Sequence, residues 1–355
     1  MTTTEKHLDD VNVFVSGQGG DGSLTVSTLL SGLLRQRGYN MFTERDVLSR
    51  IKGGVAAAGL RASKESRHVR SDDIQLMVSF DVEGIEKVKT QLADDAVVIY
   101  DESDEPLPDG LIPPGARLHS APFGKIAVRK LGRTLYKNSI ALAFATRALA
   151  IDDDDVRQSF ESRFRRMGQA ILDQNLQALQ AGFDLADEMG VQADTPMAQL
   201  KNEKQHDQIQ ITGNEAVCLG FVAAGGRFFA GYPITPASEL LITLQAWLPR
   251  FGGVAWQAED ELAAVNMAIG ASIAGVRAMT GTSGPGLALM QEGIDQAGSA
   301  EIPLVIVDAQ RGGPSTDLPP SPSKATSFSC FTAATETFHA WCLRRATRET
   351  ALNSP

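Results

Sequence analysis

The sequence predicts an α/β fold, two doubly wound units joined by a polar linker, and three observations carry that prediction. First, the apolar strand Val11-Asn12-Val13-Phe14-Val15 runs into Ser16-Gly17-Gln18-Gly19-Gly20-Asp21-Gly22, and Leu24 to Leu34 then reads as a helix. Second, the buried runs Ile74–Phe80 and Ala96–Tyr100 lead into Asp81 and Asp101 and flank a helical stretch, Glu83 to Leu92. Strand–helix–strand alternation of this kind builds a parallel sheet. Third, a new alternation opens at Phe228-Phe229-Ala230 and reaches a Gly-rich turn, Thr280 to Gly286.

Taken in order, the first unit spans 1–190. Asp104 to Pro114 is a polar, Pro-containing loop. Asn138 to Leu149 and Asp155 to Met189 read as helices that finish the unit, and Asp152 to Asp155 reads as a solvated helix start rather than a metal site. The linker, 191–212, is polar and aperiodic. The second unit, 213–318, opens with a helix from Ala216 to Ala224 and the strand at Phe228, and Ser238 begins the next helix. Leu262, Val265, Ile269, Ile273 and Val276 give one apolar stripe, and Ala263, Ala264, Ala268, Gly270, Ala271 and Gly275 suit a helix pressed closely on all sides. Leu304 to Asp308 is the last strand, with Arg311 just beyond it.

Composition narrows the function classes. A chain of 355 residues, 43% hydrophobic and 21% charged, is long enough for two or three packed domains. A net charge of −10 argues against general nucleic-acid binding. No long uncharged apolar run spans a membrane, and Met1 to Lys6 carries no apolar signal segment. Cys218, Cys330 and Cys342 make no CxxC pair, which points to a cytoplasmic chain without a disulfide framework and without an iron–sulfur cluster of its own. The five histidines show no ligand spacing.

The chemistry-bearing residues have two readings each. Glu259, Asp260 and Glu261 sit where a helix dipole favours acids, which by itself explains all three. The Gly17, Gly19, Gly20 and Gly22 turn either cradles an anion with backbone N–H groups or lets strand and helix pack tightly. Thr235 either caps a helix or binds a carboxylate through its hydroxyl. Arg311 can clamp a carboxylate with two hydrogen bonds.

Three stretches of the second unit tilt these readings: GYPITPASEL (231–240), EDELAAVNMAIGASIAGVRAMTGTSGPGLALM (259–290) and EIPLVIVDAQRGGPST (301–316). In this order they resemble the pyrimidine-binding domain of 2-oxoacid:ferredoxin oxidoreductases, which use thiamine diphosphate. The resemblance implies a carboxylate against the cofactor's aminopyrimidine ring, where it promotes loss of the thiazolium C2 proton. Glu261 is the candidate by position and Glu259 the second choice. It also implies that Thr282, Ser283 and Gly284 line the cofactor, and that Thr235 and Arg311 hold the substrate carboxylate. The stretch from Val15 to Gly54 resembles the Rossmann-like γ-type domain of the same enzymes, associated with coenzyme A or the acyl product. Arg45, Arg50 and Lys52 are then partners for coenzyme A phosphates, or ordinary surface charge. Val55 to Ala58 departs from the family's text at what reads as a loop. Gly20-Asp21-Gly22 imitates the start of a thiamine-diphosphate metal motif, but Asn40 comes too soon to complete it, so no metal site is expected here.

The family text stops near Leu318. Residues 319–355 are Ser/Thr/Ala-rich without apolar period and read as a disordered tail, expected to arise from a one-nucleotide frameshift that truncates the domain. Synonymous codons exist for which the neighbouring frame encodes the Pro-Thr turn, Gln and Asp-Leu helix start that the family places there. The resemblance as a whole implies an α subunit with a fused γ domain, favouring 2-oxoglutarate as substrate. A β subunit would contribute Mg²⁺, the diphosphate half of the site and a [4Fe-4S] cluster, with coenzyme A as co-substrate and ferredoxin as acceptor. Two rival readings are a nicotinamide- or flavin-binding oxidoreductase using the first domain and a non-catalytic remnant.

Overall fold

The computed structural model describes residues 9–47, 55–191 and 209–309. They fall into two compact units, with the division after Gln208.

The first unit is a six-stranded sheet in the order β2-β3-β1-β4-β5-β6. Its elements are β1 (Asp10–Gln18), α1 (Ser23–Gln36), β2 (Asn40–Val47), β3 (Val55–Ser63), β4 (Ile74–Ser79), α2 (Val82–Val88), β5 (Leu92–Asp101), β6 (Arg117–Ala121), α3 (Phe123–Leu131), α4 (Lys137–Ala148), α5 (Asp153–Phe164) and α6 (Gln169–Glu188). β1, β4, β5 and β6 run parallel. The sheet is mixed, however, because β3 lies antiparallel between β1 and β2. The expectation of a loop at Val55–Ala58 is therefore corrected: these residues pair with β1 from Ser16 to Gln18 and Val15. The Ala-Ala-Ala-Gly text has low strand propensity, and ladders on both sides override it. Its small side chains also let α1 lie close, where the Ser23 hydroxyl donates to the Ala56 carbonyl at 2.8 Å.

Helices cover both faces. Val13, Val15, Leu76, Val78, Val97 and Ile99 pack with α1, α3, α4, α5 and α6, while Phe14, Met77, Val98 and Tyr100 face the other way toward α2. Helix α4 is buried nearly all round, both its apolar run Ile140–Ala145 and the polar Lys137, Asn138, Ser139 and Thr146. It meets α6 closely enough that a Cβ on Gly182 would come within 2.8 Å of the Ile140 backbone. The run of acids behaves as a helix start: Asp152 is the N-cap position of α5, Asp153 pairs with Arg147 and Asp152 with Arg37.

The second unit has a four-stranded parallel sheet in the order β10-β9-β7-β8. It comprises α7 (Gly213–Ala223), β7 (Phe228–Gly231), α8 (Ser238–Trp247), β8 (Val254–Gln257), α9 (Glu261–Ile273), β9 (Ala278–Thr282), α10 (Pro285–Leu289), α11 (Gln291–Ser299) and β10 (Val305–Asp308). A capping box opens it, with Thr212 accepting from the Glu215 N–H at 3.1 Å and Glu215 accepting from the Thr212 N–H at 2.7 Å. Phe229, Leu240, Leu244 and Met279 fill one side of the sheet, and Ala264, Val265, Ile269 and Met290 the other.

Helix α9 corrects the predicted stripe. Its buried face is Glu261, Ala264, Val265, Ala268, Ile269 and Ser272. Within this chain Leu262 is 46% exposed and Ile273 67%, so the helix is not enclosed on all sides. In a helix that is apolar on every side the spacing of large residues no longer marks the core face. The small alanines do, because they permit close approach to β7 and β9.

Candidate functional site

In the second unit the chain goes from β7 outward to β8, then crosses back over β7 to β9 and on to β10. Strand order thus reverses at β7, and the carboxyl ends of β7 and β9 form a switch point, where such sheets take ligands. The segments after those ends are Tyr232 to Ala237 and Ser283-Gly284, and Asp260-Glu261 follows the end of the neighbouring β8.

The three predicted acids have separate fates. Glu259 is exposed and precedes the helix. Asp260 caps it, accepting from the Ala263 N–H at 2.7 Å. Glu261 turns inward and is 7% exposed. It packs beside Thr282 and Gly286: a Cβ built on Gly286 would stand 2.6 Å from Glu261 Oε1 and 1.9 Å from Thr282 Oγ1. Among the described residues Glu261 has no hydrogen-bond or ion-pair partner. The hydroxyls of Thr280, Thr282 and Ser283 are also fully buried without a hydrogen-bond partner. Gly284 adopts a positive φ of 32°, and its N–H donates to Asp308 Oδ1 at 3.0 Å, tying the turn to the end of β10. The site at the strand end therefore offers an unpartnered buried carboxylate and the unpartnered hydroxyls of Thr282 and Ser283, with Thr280 further inside β9.

Thr235 lies exposed on the same strand-end loop. It does not cap α8: the N-cap position is Ala237, without a side-chain hydrogen bond. The capping alternative is thereby overturned. Asn214, which sequence reasoning passed over, braces this loop, donating to the Pro236 carbonyl and to Glu239, each at 3.1 Å. Its place beside Glu215 gave no signal beyond a helix start. Arg311 lies outside the described residues, as do Arg50 and Lys52. A cavity of about 610 Å³ occupies the opposite, amino-terminal end of the sheet, but its two arginines, Arg227 and Arg277, donate to carbonyls at the end of α7. That places it in helix capping, away from the carboxylate.

The first unit has a switch point of its own at β1 and β4. Here Gly17 belongs to the strand, not the turn, and pairs with Ala56. A Cβ on it would touch Phe80 at 3.0 Å. Gly19 and Gly20 are exposed, and Gly20 and Gly22 take positive φ values of 97° and 84°. Gly22 begins α1 without any side-chain cap, and a Cβ there would stand 2.1 Å from the Asn138 amide nitrogen. Gly17 serves packing, whereas Gly20 and Gly22 shape the turn at the start of α1.

Around this turn sits a cluster the sequence did not announce. Lys137, 5% exposed, reaches Asp21 at 3.1 Å and Asp101 at 3.7 Å and lies 5.0 Å from the Phe80 ring centroid. Burial raises the Asp81 carboxyl above its ordinary value, although its Oδ1 accepts from the Gly84 N–H at 2.8 Å. Asp81 Oδ2 and Asn138 Oδ1 are buried acceptors without a donor among the described residues. Arg45 is exposed on β2.

Comparison with known proteins matches both units. Residues 12–185 match the family described as pyruvate ferredoxin/flavodoxin oxidoreductase, and residues 220–338 match its thiamine-diphosphate-binding domain, a match that runs on past Leu318. The 2-oxoglutarate synthase subunit KorA of Archaeoglobus fulgidus is 54% identical over 114 residues, 32% of this chain and 33% of that one. The 2-oxoacid:ferredoxin oxidoreductase subunit alpha of a Sulfolobus species is 28% identical over 86% of this chain and 55% of its own length. Among solved structures, 2-oxoglutarate:ferredoxin oxidoreductase from Magnetococcus marinus, with 2-oxoglutarate, coenzyme A and succinyl-CoA bound, superposes with a TM-score of 0.74 at 33% identity. That alignment covers 88% of this chain and 54% of the other, so the present chain spans about half the length of the relatives it matches most broadly. Two family domains in sequence order, with a structural match over 88% of the chain, show that the chain belongs to the 2-oxoacid:ferredoxin oxidoreductase family.

Proposed function

We propose that this chain is the α-type subunit, with a fused γ-type domain, of a 2-oxoacid:ferredoxin oxidoreductase. The reaction is oxidative decarboxylation of a 2-oxoacid, foremost 2-oxoglutarate, to the acyl-coenzyme A, with electrons passed to ferredoxin. The observation that carries this reading is Glu261, a buried carboxylate without a partner at the β7/β9 switch point. The residues fit the pyrimidine half of thiamine diphosphate: a carboxylate waiting for an N–H donor, unpartnered hydroxyls beside it, and a glycine turn that leaves space.

Thiamine diphosphate, when bound, supplies the carbanion-stabilising chemistry of decarboxylation. Glu261 would accept a hydrogen bond from the aminopyrimidine and orient that ring. Ser283 and Gly284 line the turn beside it. Thr235 and Arg311 fix the substrate carboxylate, the arginine with paired N–H donors. Nonpolar packing of Ala264, Val265 and Ala268 beneath Glu261 keeps water from its inner side. A β subunit would contribute Mg²⁺, the diphosphate half of the site and the iron–sulfur cluster. Coenzyme A meets the Gly19–Gly22 turn of the first unit. Three carboxylates, Asp21, Asp81 and Asp101, against the single Lys137 oppose a phosphate there, whereas the buried acceptors of Asp81 and Asn138 suit the amide N–H groups of the coenzyme's arm.

The test is Glu261→Gln in the chain assembled with its β subunit. The expected result is an intact complex with 2-oxoglutarate-dependent viologen reduction lowered about a hundredfold. Wild-type turnover in that variant, or turnover by this chain without a partner, overturns the reading.

A further inference from the structure

We propose that Thr282 is the positioning residue that seats the Glu261 carboxylate, and that position 286 must be glycine because this pair occupies the space a side chain would need. The inference rests on the reading of Glu261 given above.

The argument begins with a misfit. Thr282 is fully buried, and its hydroxyl has no hydrogen-bond partner among the described residues. Evolution can replace such a hydroxyl with the isosteric Val at no packing loss, so an orphan of this kind points to a partner acquired in another state. The geometry names that partner. Thr282 Oγ1 and Glu261 Oε1 both lie over the Gly286 Cα, close enough that one added Cβ would collide with both, at 1.9 and 2.6 Å. Ordinary van der Waals contact begins well beyond those distances, so no rotamer of an alanine relieves them. A carboxylate only accepts and a hydroxyl can donate, so the one productive bond between them runs from the Thr282 O–H to Glu261.

The two oxygens of Glu261 then divide their work. One accepts from the ligand ring, and the other is held by Thr282, which fixes the plane of the carboxylate. A fixed plane favours binding because less side-chain freedom is lost on ligation. β9 positions the hydroxyl: Thr282 is the last residue of a strand paired on both sides, and it faces the α9 side, as Thr280 does two residues earlier. Thr280 is equally buried and equally orphaned, but it lies one pleat deeper, away from the strand end. It serves as an internal control.

The experiment compares Thr282→Val, Thr282→Ser, Gly286→Ala, Thr280→Val and Glu261→Gln in the complex with the β subunit. The readouts are thiamine diphosphate affinity by titration calorimetry and melting of the cofactor-free complex. Thr282→Val and Gly286→Ala are expected to weaken binding about tenfold or more, the value of a hydrogen bond to a charged group. Thr282→Ser restores most of the affinity, Thr280→Val leaves it unchanged, and Thr282→Val melts no lower than wild type without cofactor. Binding by Thr282→Val equal to that of Thr280→Val, or no rescue by Ser, overturns the role of Thr282. If Glu261→Gln itself binds normally, the underlying reading of Glu261 falls instead. Should Gly286→Ala misfold, the Val/Ser pair still decides.

Discussion

Lys137→Met probes the polar cluster beneath the glycine turn of the first unit. The Lys137 ammonium lies 3.1 Å from Asp21 and 3.7 Å from Asp101, with the lysine side chain 7% exposed and that of Asp101 2%. Removing one member of a buried ion pair costs about 3–5 kcal/mol, chiefly because the abandoned charge stays buried. Here the lower end applies. Asp101 keeps the Ser103 N–H at 3.1 Å, the Ser103 hydroxyl and the Gly124 N–H at 3.3 Å, so its charge is not left bare. Methionine also puts an apolar chain end in the place of the ammonium over the Phe80 ring. About 3 kcal/mol is therefore expected, a hundredfold or so in the opening equilibrium at tenfold per 1.4 kcal/mol. Hydrogen exchange of peptides covering β4 and β5 is the suitable assay. Adding Asp101→Asn should recover part of the loss, since the abandoned charge is then gone. Protection changed less than about threefold, roughly 0.6 kcal/mol, or a double variant worse than Lys137→Met, refutes the argument that buried charge dominates here.

Three further outcomes are expected. Asp81 holds its raised carboxyl at a stability cost once ionised: its stabilising share is complete below the ordinary value of 3.8 and disappears as pH climbs through the higher folded value. Asp81→Asn keeps the acceptor for Gly84 and should gain on wild type as pH rises above the ordinary value of 3.8; a gap that stays constant across denaturation at each pH contradicts this. Cys218 is buried, and its thiol is pushed up to about 12, so in a Cys330→Ser, Cys342→Ser chain it should resist maleimide at neutral pH until denaturant is added; rapid labelling of the folded chain would count against its burial. Gly182→Ala drives a Cβ to 2.7 Å from that of Ala143 and 2.8 Å from the Ile140 backbone, and should cost about 1–3 kcal/mol by forcing α4 and α6 apart; unchanged exchange protection in α4 would show that the helices part freely.

The sequence spoke most clearly where one force acted alone. Val11–Val15, Ile74–Phe80 and Ala96–Tyr100 became β1, β4 and β5 because continuous apolar text admits little besides a buried strand. It spoke least clearly where forces competed. Val55–Ala58 lacks strand propensity but is held in β3 by two neighbours it could not name. The α9 stripe misled because large residues outside the core face, Leu262 and Ile273, happened to share a helical period with Val265 and Ile269.

The site divides in the same way. Motif order singled out Glu261, Thr282 and the Gly284 turn, since residue types at fixed spacing are written in the chain. Which of Glu259, Asp260 and Glu261 enters the interior was not written there: adjacent helix positions differ by about 100° in direction, and only the packing of α9 on β7 and β9 sends Glu261 inward while Asp260 caps. Nor could spacing reveal that Lys137 meets Asp21, 116 residues away, or that Gly286 closes over Thr282 and Glu261. Local sequence set the strands, the turns and the candidate chemistry of this protein. Tertiary structure alone decided which polar groups are buried together, because burial belongs to a position in the packed fold and not to a residue.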